Sequence, residues 1–416
     1  MKTVRLDERL YRTEGENGVT VLSELLPGVR SVAVGIWVKT ASVHEQRPKM
    51  GVSHLLEHMV FKGTERRSAL DIALELEVRG GGLDAYTSRD HTAYQARVLD
   101  EDLPRALDVL TDLVRNPALR DGDLELERKV VLEEISSVDD TPDDLVFELH
   151  TKTMWPDHPY GFSILGTRET VSSLEESDLR ELHGRTYHPR NVVIAAAGNL
   201  NHDLLLKLLA KCGWFTFDMG PDPQTVESVP PAVRTKRRIE RDTAQEHVVL
   251  GTDTFPYRDD RRYPLVLLTT VLGSGMSSTL FQREREELGL AYSIHSYQSF
   301  YRETGVAGVY VGTHPSTSLQ AVEVICGELA KLASEGLSAE RLAEAKQQLK
   351  GQVTLSLESP SARMYRLATL ALYDERYRTI DQVLTEIDRV SSEQVAQVGH
   401  EFLDPDRQTI VWLGPN

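Results

Sequence analysis

The sequence has no uninterrupted apolar run of the about 18 residues that a bilayer-crossing helix requires, which excludes a membrane-spanning helix. Cysteine is almost absent. Cys212 and Cys326 are the two in 416 residues, far apart and outside any Cys-x-x-Cys or Cys/His cluster. A disulfide framework is therefore not expected, a reducing compartment is, and both thiols read as small apolar residues. Positive charge is also short: 47 Lys and Arg face 64 Asp and Glu, a net charge of −17. Such a chain is unsuited to wrapping phosphate backbones, so no nucleic-acid partner is expected, whereas basic peptides would be attracted to it. The opening MKTVRLDERLYRTEGENG lacks the apolar stretch of a secretory signal. It carries Asp7, Glu8, Glu14 and Glu16, which are foreign to an acid-poor transit peptide. The expectation is a cytoplasmic protein without a membrane partner.

What is present reads as two halves. In the first, residues 31–38 (SVAVGIWV) form a strand pattern, followed by helical stretches at about 50–60 and from Ser68 to about Arg79. Gly80-Gly81-Gly82 then breaks any helix. Residues 83–99 read as strand, about 102–115 and 121–138 as helices, and 191–197 as another strand. Strands and helices alternate without the βαβ rhythm of a parallel sheet. The expected fold class is α+β, a mixed or mostly antiparallel sheet with helices on one side. Residues 219–233 hold Pro221, Pro223, Pro230 and Pro231 without a period and read as a linker. The expected domains are 1–218 and 234–416.

The second half repeats the first. A strand ending in the segment 91–98 leads into the helical ALDVL at Ala106, and a strand at 308–312 leads into AVEVI at Ala321. Ala106 and Ala321 are 215 positions apart, and 121–127 has a counterpart in 337–342 at the start of a long charged helix.

The sharpest chemical signal is His54-Leu55-Leu56-Glu57-His58, with apolar Val52, Leu55, Leu56, Met59 and Val60 around it. On a helix, residues four apart stack on one face with Cβ atoms about 5–6 Å apart, so two imidazoles can share one ion. Glu57 lies on the same side and reaches a water held there. This order, H-x-x-E-H, is the inverse of the commoner zinc-peptidase motif. A catalytic zinc takes a third protein ligand and leaves one position open. Helix 121–138 offers Glu125, Glu127, Glu133 and Glu134. Its apolar stripe is Leu124, Val131, Ile135 and Val138. Glu134 borders that stripe and Glu133 points away from it, which selects Glu134. Glu127, two turns before Glu134 on the same face, is expected to orient a liganding histidine.

These residues stand in longer motifs. Residues 51–64 (GVSHLLEHMVFKGT), 80–94 (GGGLDAYTSRDHTAY) and 127–135 (ERKVVLEEI) resemble the pitrilysin/insulinase family of zinc metallopeptidases, nearest to the short branch that includes the mitochondrial processing peptidase. Further landmarks are 158–167, 187–198, 272–281 (LGSGMSSTLF) and 285–292 (REELGLAY), so the resemblance spans nearly the whole chain. It implies a pair of similar α+β domains, with zinc on His54, His58 and Glu134 in the first. The second has lost the ligands: before Gly273 it reads Leu267-Leu268-Thr269-Thr270. It also implies zinc-dependent hydrolysis of peptide bonds with Glu57 as general base, inside a chamber closed by two such pairs. A chain with one pair then works as a homodimer, in which Arg285 and Tyr292 of the opposing copy grip a peptide laid along the strand holding Asp84 and Ala85. The family usually has Asn where Asp84 stands. An ionised Asp cannot donate to a substrate carbonyl as Asn can, which puts positioning there in doubt. The other reading is a catalytically silent partner or scaffold subunit, or a zinc-bearing peptide-binding module of weak turnover.

Overall fold

The computed structural model describes residues 1–415. The strands are β1 (Lys2–Asp7), β2 (Leu10–Glu14), β3 (Thr20–Leu25), β4 (Ser31–Val38), β5 (Gly82–Thr87), β6 (Thr92–Leu99), β7 (Val192–Gly198), β8 (Lys236–Glu240), β9 (Glu246–Thr254), β10 (Ala291–Phe300), β11 (Gly305–Thr313) and β12 (Thr409–Gly414). The helices are α1 (Val52–Val60), α2 (Ala69–Glu77), α3 (Leu103–Arg115), α4 (Asp121–Asp139), α5 (Pro142–Met154), α6 (Arg168–Ser173), α7 (Glu176–Thr186), α8 (His202–Lys211), α9 (Arg262–Gly273), α10 (Ser318–Glu335), α11 (Ala339–Ser356), α12 (Pro360–Leu372), α13 (Ile380–Arg389) and α14 (Ser392–Phe402).

Two compact units result, each built on one sheet. The first sheet runs β1-β2-β3-β7-β4-β6-β5 and the second β10-β11-β9-β12-β8. Five strands correspond one to one. The hairpin β5/β6 matches β10/β11, β4 matches β9, and β7 matches β12. In each sheet one pair is parallel, β3 with β7 and β8 with β12, and the other pairs are antiparallel. Ser31 and Glu246, which open β4 and β9, are 215 positions apart, the spacing read from the sequence. The α+β pseudo-repeat is therefore present in the topology itself.

A single cut at 219–233 does not describe the packing. The first unit comprises Met1–Ile135, Ser163–Val226 and Ser356–Tyr377, and the second Ser136–Phe162, Glu227–Leu355 and Arg378–Asn416. Each half thus lends one helix to the other's unit, and the lent helices, α5 and α12, hold equivalent places in the repeat. The physical reason lies in the central strands. On β4 and β7 one face (Val32, Val34, Ile36, Val38, Val192, Ile194, Ala196) enters the core under α1 and α3. The other face (Ala33, Gly35, Trp37, Val193, Ala195, Ala197) is also buried, and α12 packs on it. Small residues let the helix approach. A Cβ on Gly35 would come 2.6 Å from the Trp37 ring, which itself meets Tyr365 of α12 edge-on at 6.0 Å. Two-sided burial demands cover on both faces, so the expectation of helices on one side is corrected. In the second unit α5 covers β9 and β12 through Leu145 and Val146 against Val249, Val411 and Leu413.

The expected strand 83–99 is a hairpin. Ser88 to His91 form its turn, where the Ser88 hydroxyl donates to the His91 carbonyl at 2.8 Å. The correction matters for function, because it leaves β5 at the end of its sheet with one side unpaired.

Candidate active site

Helix α1 places Leu55, Leu56, Met59 and Val60 in the core and turns His54 and His58 to the opposite side. Their rings meet at 4.6 Å between centroids. Helix α4 brings Glu134 across them. His54 Nε2 lies 3.6 Å from one Glu134 oxygen, and His58 Nε2 lies 3.6 Å from the other. These distances are too long for hydrogen bonds. They are what three donors show when gathered around a common point, since ligand atoms each about 2.0–2.2 Å from one ion stand somewhat over 3 Å apart. Among the described residues, His54, His58 and Glu134 form the one set of three His, Cys or acidic side chains whose ligand atoms converge in this way, all within 4.8 Å. Burial, helped by the nearby His58, pulls His54 down to about 3, so its imidazole is neutral at pH 7 with a lone pair to offer. Two imidazoles and one carboxylate side chain fit a divalent, borderline-soft cation.

Glu127 lies beside His58. Its Oε2 is 3.2 Å from His58 Nδ1, and its other oxygen pairs with Lys62. With Nδ1 so engaged, Nε2 is the free ligand atom of His58. Lys62, on the turn after α1, was not anticipated, although its spacing of four from His58 is a legible signal.

Glu57 is 8% exposed. Burial raises its pKa above the ordinary carboxylate value, the Thr87 hydroxyl and His58 pull it down, and Glu134 and Asp84 push it up. The Thr87 hydroxyl donates to Glu57 Oε2 at 2.5 Å. Thr87 ends β5 and has no signal in the sequence, because its role depends on how the hairpin folds over α1.

Asp84 and Ala85 lie on β5, on opposite faces. Ala85 packs on the core side with Leu83. Asp84 is exposed, and its Oδ2 accepts from Gln95 Nε2 at 3.0 Å. Arg285 and Tyr292 belong to the second unit. Arg285 is exposed on a π-helical turn, Phe281–Glu287, with its guanidinium 5.0 Å above the Phe281 ring. Tyr292 stands 71% exposed near the start of β10. At the repeat spacing of 215, Thr269 and Gly273 of α9 occupy the places of His54 and His58, so that helix carries no counterpart of the paired imidazoles.

Residues 20–168 match the insulinase family, peptidase family M16, and residues 173–349 match the family's inactive domain. An uncharacterized zinc protease of Streptomyces coelicolor is 37% identical over 411 residues, covering 97% of this chain and 89% of that protein. The uncharacterized zinc protease YmxG of Bacillus subtilis is 38% identical over 391 residues, covering 94% and 95%. A crystal structure from Pseudomonas fluorescens, described as a peptidase M16 inactive domain, superposes with a TM-score of 0.91 over 98% of both chains at 20% identity, which speaks to the fold alone. The chain belongs to the insulinase family of peptidases, family M16.

Proposed function

We propose that the chain is a zinc-dependent endopeptidase that hydrolyses peptides or unfolded segments. The observation carrying this reading is the convergence of His54, His58 and Glu134 beside Glu57, at the end of an unpaired edge strand. Zinc held by these three residues would supply a Lewis acid for the scissile carbonyl and would acidify the attacking water. The side chains do the rest. Glu57, its carboxylate oriented by Thr87, takes the proton of that water and passes it to the leaving amine nitrogen. Its raised pKa suits it to hold a proton between the two transfers. Main-chain N–H and C=O groups on the free side of β5 hold the peptide as an added strand, past Asp84 and Ala85.

We further propose a homodimer, in which Arg285 and Tyr292 of one copy act on a peptide held by the other. The exposure of both side chains supports this, since a tyrosine left 71% in solvent is free to meet a partner or substrate. Among the described residues no helix is long and apolar enough to cross a membrane.

The test is cleavage of an unbiased peptide mixture by zinc-loaded protein, read by mass spectrometry beside Glu57→Gln. The wild type is expected to cut, and Glu57→Gln to bind zinc normally without turnover. If both bind zinc and neither cuts, the silent-subunit reading replaces this one.

A further inference from the structure

Glu45 lies in the loop before α1 and is 7% exposed. Its Oε2 accepts from the Gly51 N–H and its Oε1 from the Ser53 N–H, each at 2.8 Å. Gly51 is the N-cap of α1 and has no side chain with which to satisfy the orphan N–H groups of the first turn. Glu45 supplies that from outside the helix, with a charge matched to the positive end of the helix dipole.

The same helix end is fixed by contact. Gly51 has φ +89°, and a Cβ there would fall 2.6 Å from the Leu165 carbonyl oxygen. A Cβ on Gly166 would fall 2.5 Å from the Met50 carbonyl oxygen. The start of α1 therefore has no slack sideways, and the carboxylate bridging Gly51 and Ser53 holds it along its axis. His54 follows Ser53 directly, and its ring and that of His58 must meet Glu134, which rides on α4. A slide of α1 carries both imidazoles past Glu134 together.

We propose that Glu45 is a positioning residue for the metal centre: by holding the first turn of α1 it sets where His54 and His58 stand relative to Glu134, and so sets zinc affinity. This rests on the metal reading given above. It differs from ordinary helix capping, which stabilises the fold and leaves the affinity of an already folded site unchanged.

Zinc stripped from the full-length protein and titrated back against a chromophoric chelator measures the affinity without reference to turnover. The titration is run at pH 8, because burial raises the Glu45 carboxyl to about 7 and the ionised form is wanted. Glu45→Ala is expected to weaken zinc binding by about 10-fold or more, within the range seen when groups that orient metal ligands are removed. Glu45→Gln keeps the shape and loses the charge, and is expected to fall between Ala and wild type. It carries the test if Glu45→Ala does not fold. The visible spectrum of the cobalt-substituted Glu45→Gln protein should also change. Thermal melting of the metal-free proteins is recorded in parallel. Lower melting temperatures with wild-type zinc affinity and an unaltered cobalt spectrum would overturn the proposal and leave Glu45 a stabilising cap. Failure of the wild type itself to bind zinc would overturn the metal reading, and this inference with it.

Discussion

Replacing Thr87 by Val isolates one contact in the proposed chemistry. Val keeps the shape of Thr and removes the hydroxyl that donates to Glu57 Oε2. That hydrogen bond favours the ionised carboxylate. A hydrogen bond to a charged group is worth about 1.5–3 kcal/mol net, which corresponds to about one to two pKa units. Burial, Glu134 and Asp84 already raise Glu57, while Thr87 and His58 oppose them, so losing Thr87 moves Glu57 further up. A general base must be ionised to accept its proton. The acid limb of the kcat/KM profile should therefore shift to higher pH by about one to two units. Well above the limb, variant and wild type should converge to within a few-fold, and below it they should separate by about 10- to 100-fold. The assay is a pH profile of a fluorogenic peptide under subsaturating conditions, with zinc saturation verified at each pH. A variant whose limb is unmoved, or whose rate falls by one factor at every pH, would refute the reasoning and show Thr87 acting on geometry rather than on the proton.

Glu127→Ala should weaken zinc binding by about 10- to 100-fold, because His58 Nδ1 loses the group that fixes its ring and Lys62 is left unpaired; a chelator competition reads this directly. Arg67→Ala should destabilise the first unit by about 3–5 kcal/mol. The Arg67 side chain is 7% exposed and pairs with Glu75, Asp108 and the fully covered Asp112, at 2.8, 2.5 and 2.7 Å, so its removal takes the nearest cation from the buried Asp112 carboxylate. Urea unfolding monitored by circular dichroism measures it, and a change under 1 kcal/mol would contradict a buried network.

Much of the site was legible because it is local. His54, Glu57 and His58 lie within five residues, and helical geometry alone puts them on one side of α1. Glu134 required a second helix, yet its place relative to Leu124 and Val131 marked the face it would present. The hairpin at 82–99 was misread as one strand because Ser88-Arg89-Asp90 is a turn without glycine or proline, and its strands are apolar enough to read as continuous. The two lent helices were not seen for a different reason. Nothing in the periodicity of α5 or α12 says which sheet it will cover, and both sheets have a second apolar face to accept one.

By itself, the sequence determined the repeat of 215 positions, the α+β class and the grouping of His54, Glu57 and His58 on one side of a helix. All of these follow from spacing along one segment or from comparison of two segments. Only the tertiary structure decided that α12 closes the first sheet and α5 the second, that Glu127 serves His58 rather than His54, that Thr87 holds Glu57, and that Glu45 anchors the first turn of α1. Each of those pairs a side chain with a partner whose approach is set by the packing of other elements. Periodicity reports which face of an element is buried; the partner it meets there is set by loop closure, sheet register and close packing acting on the whole unit.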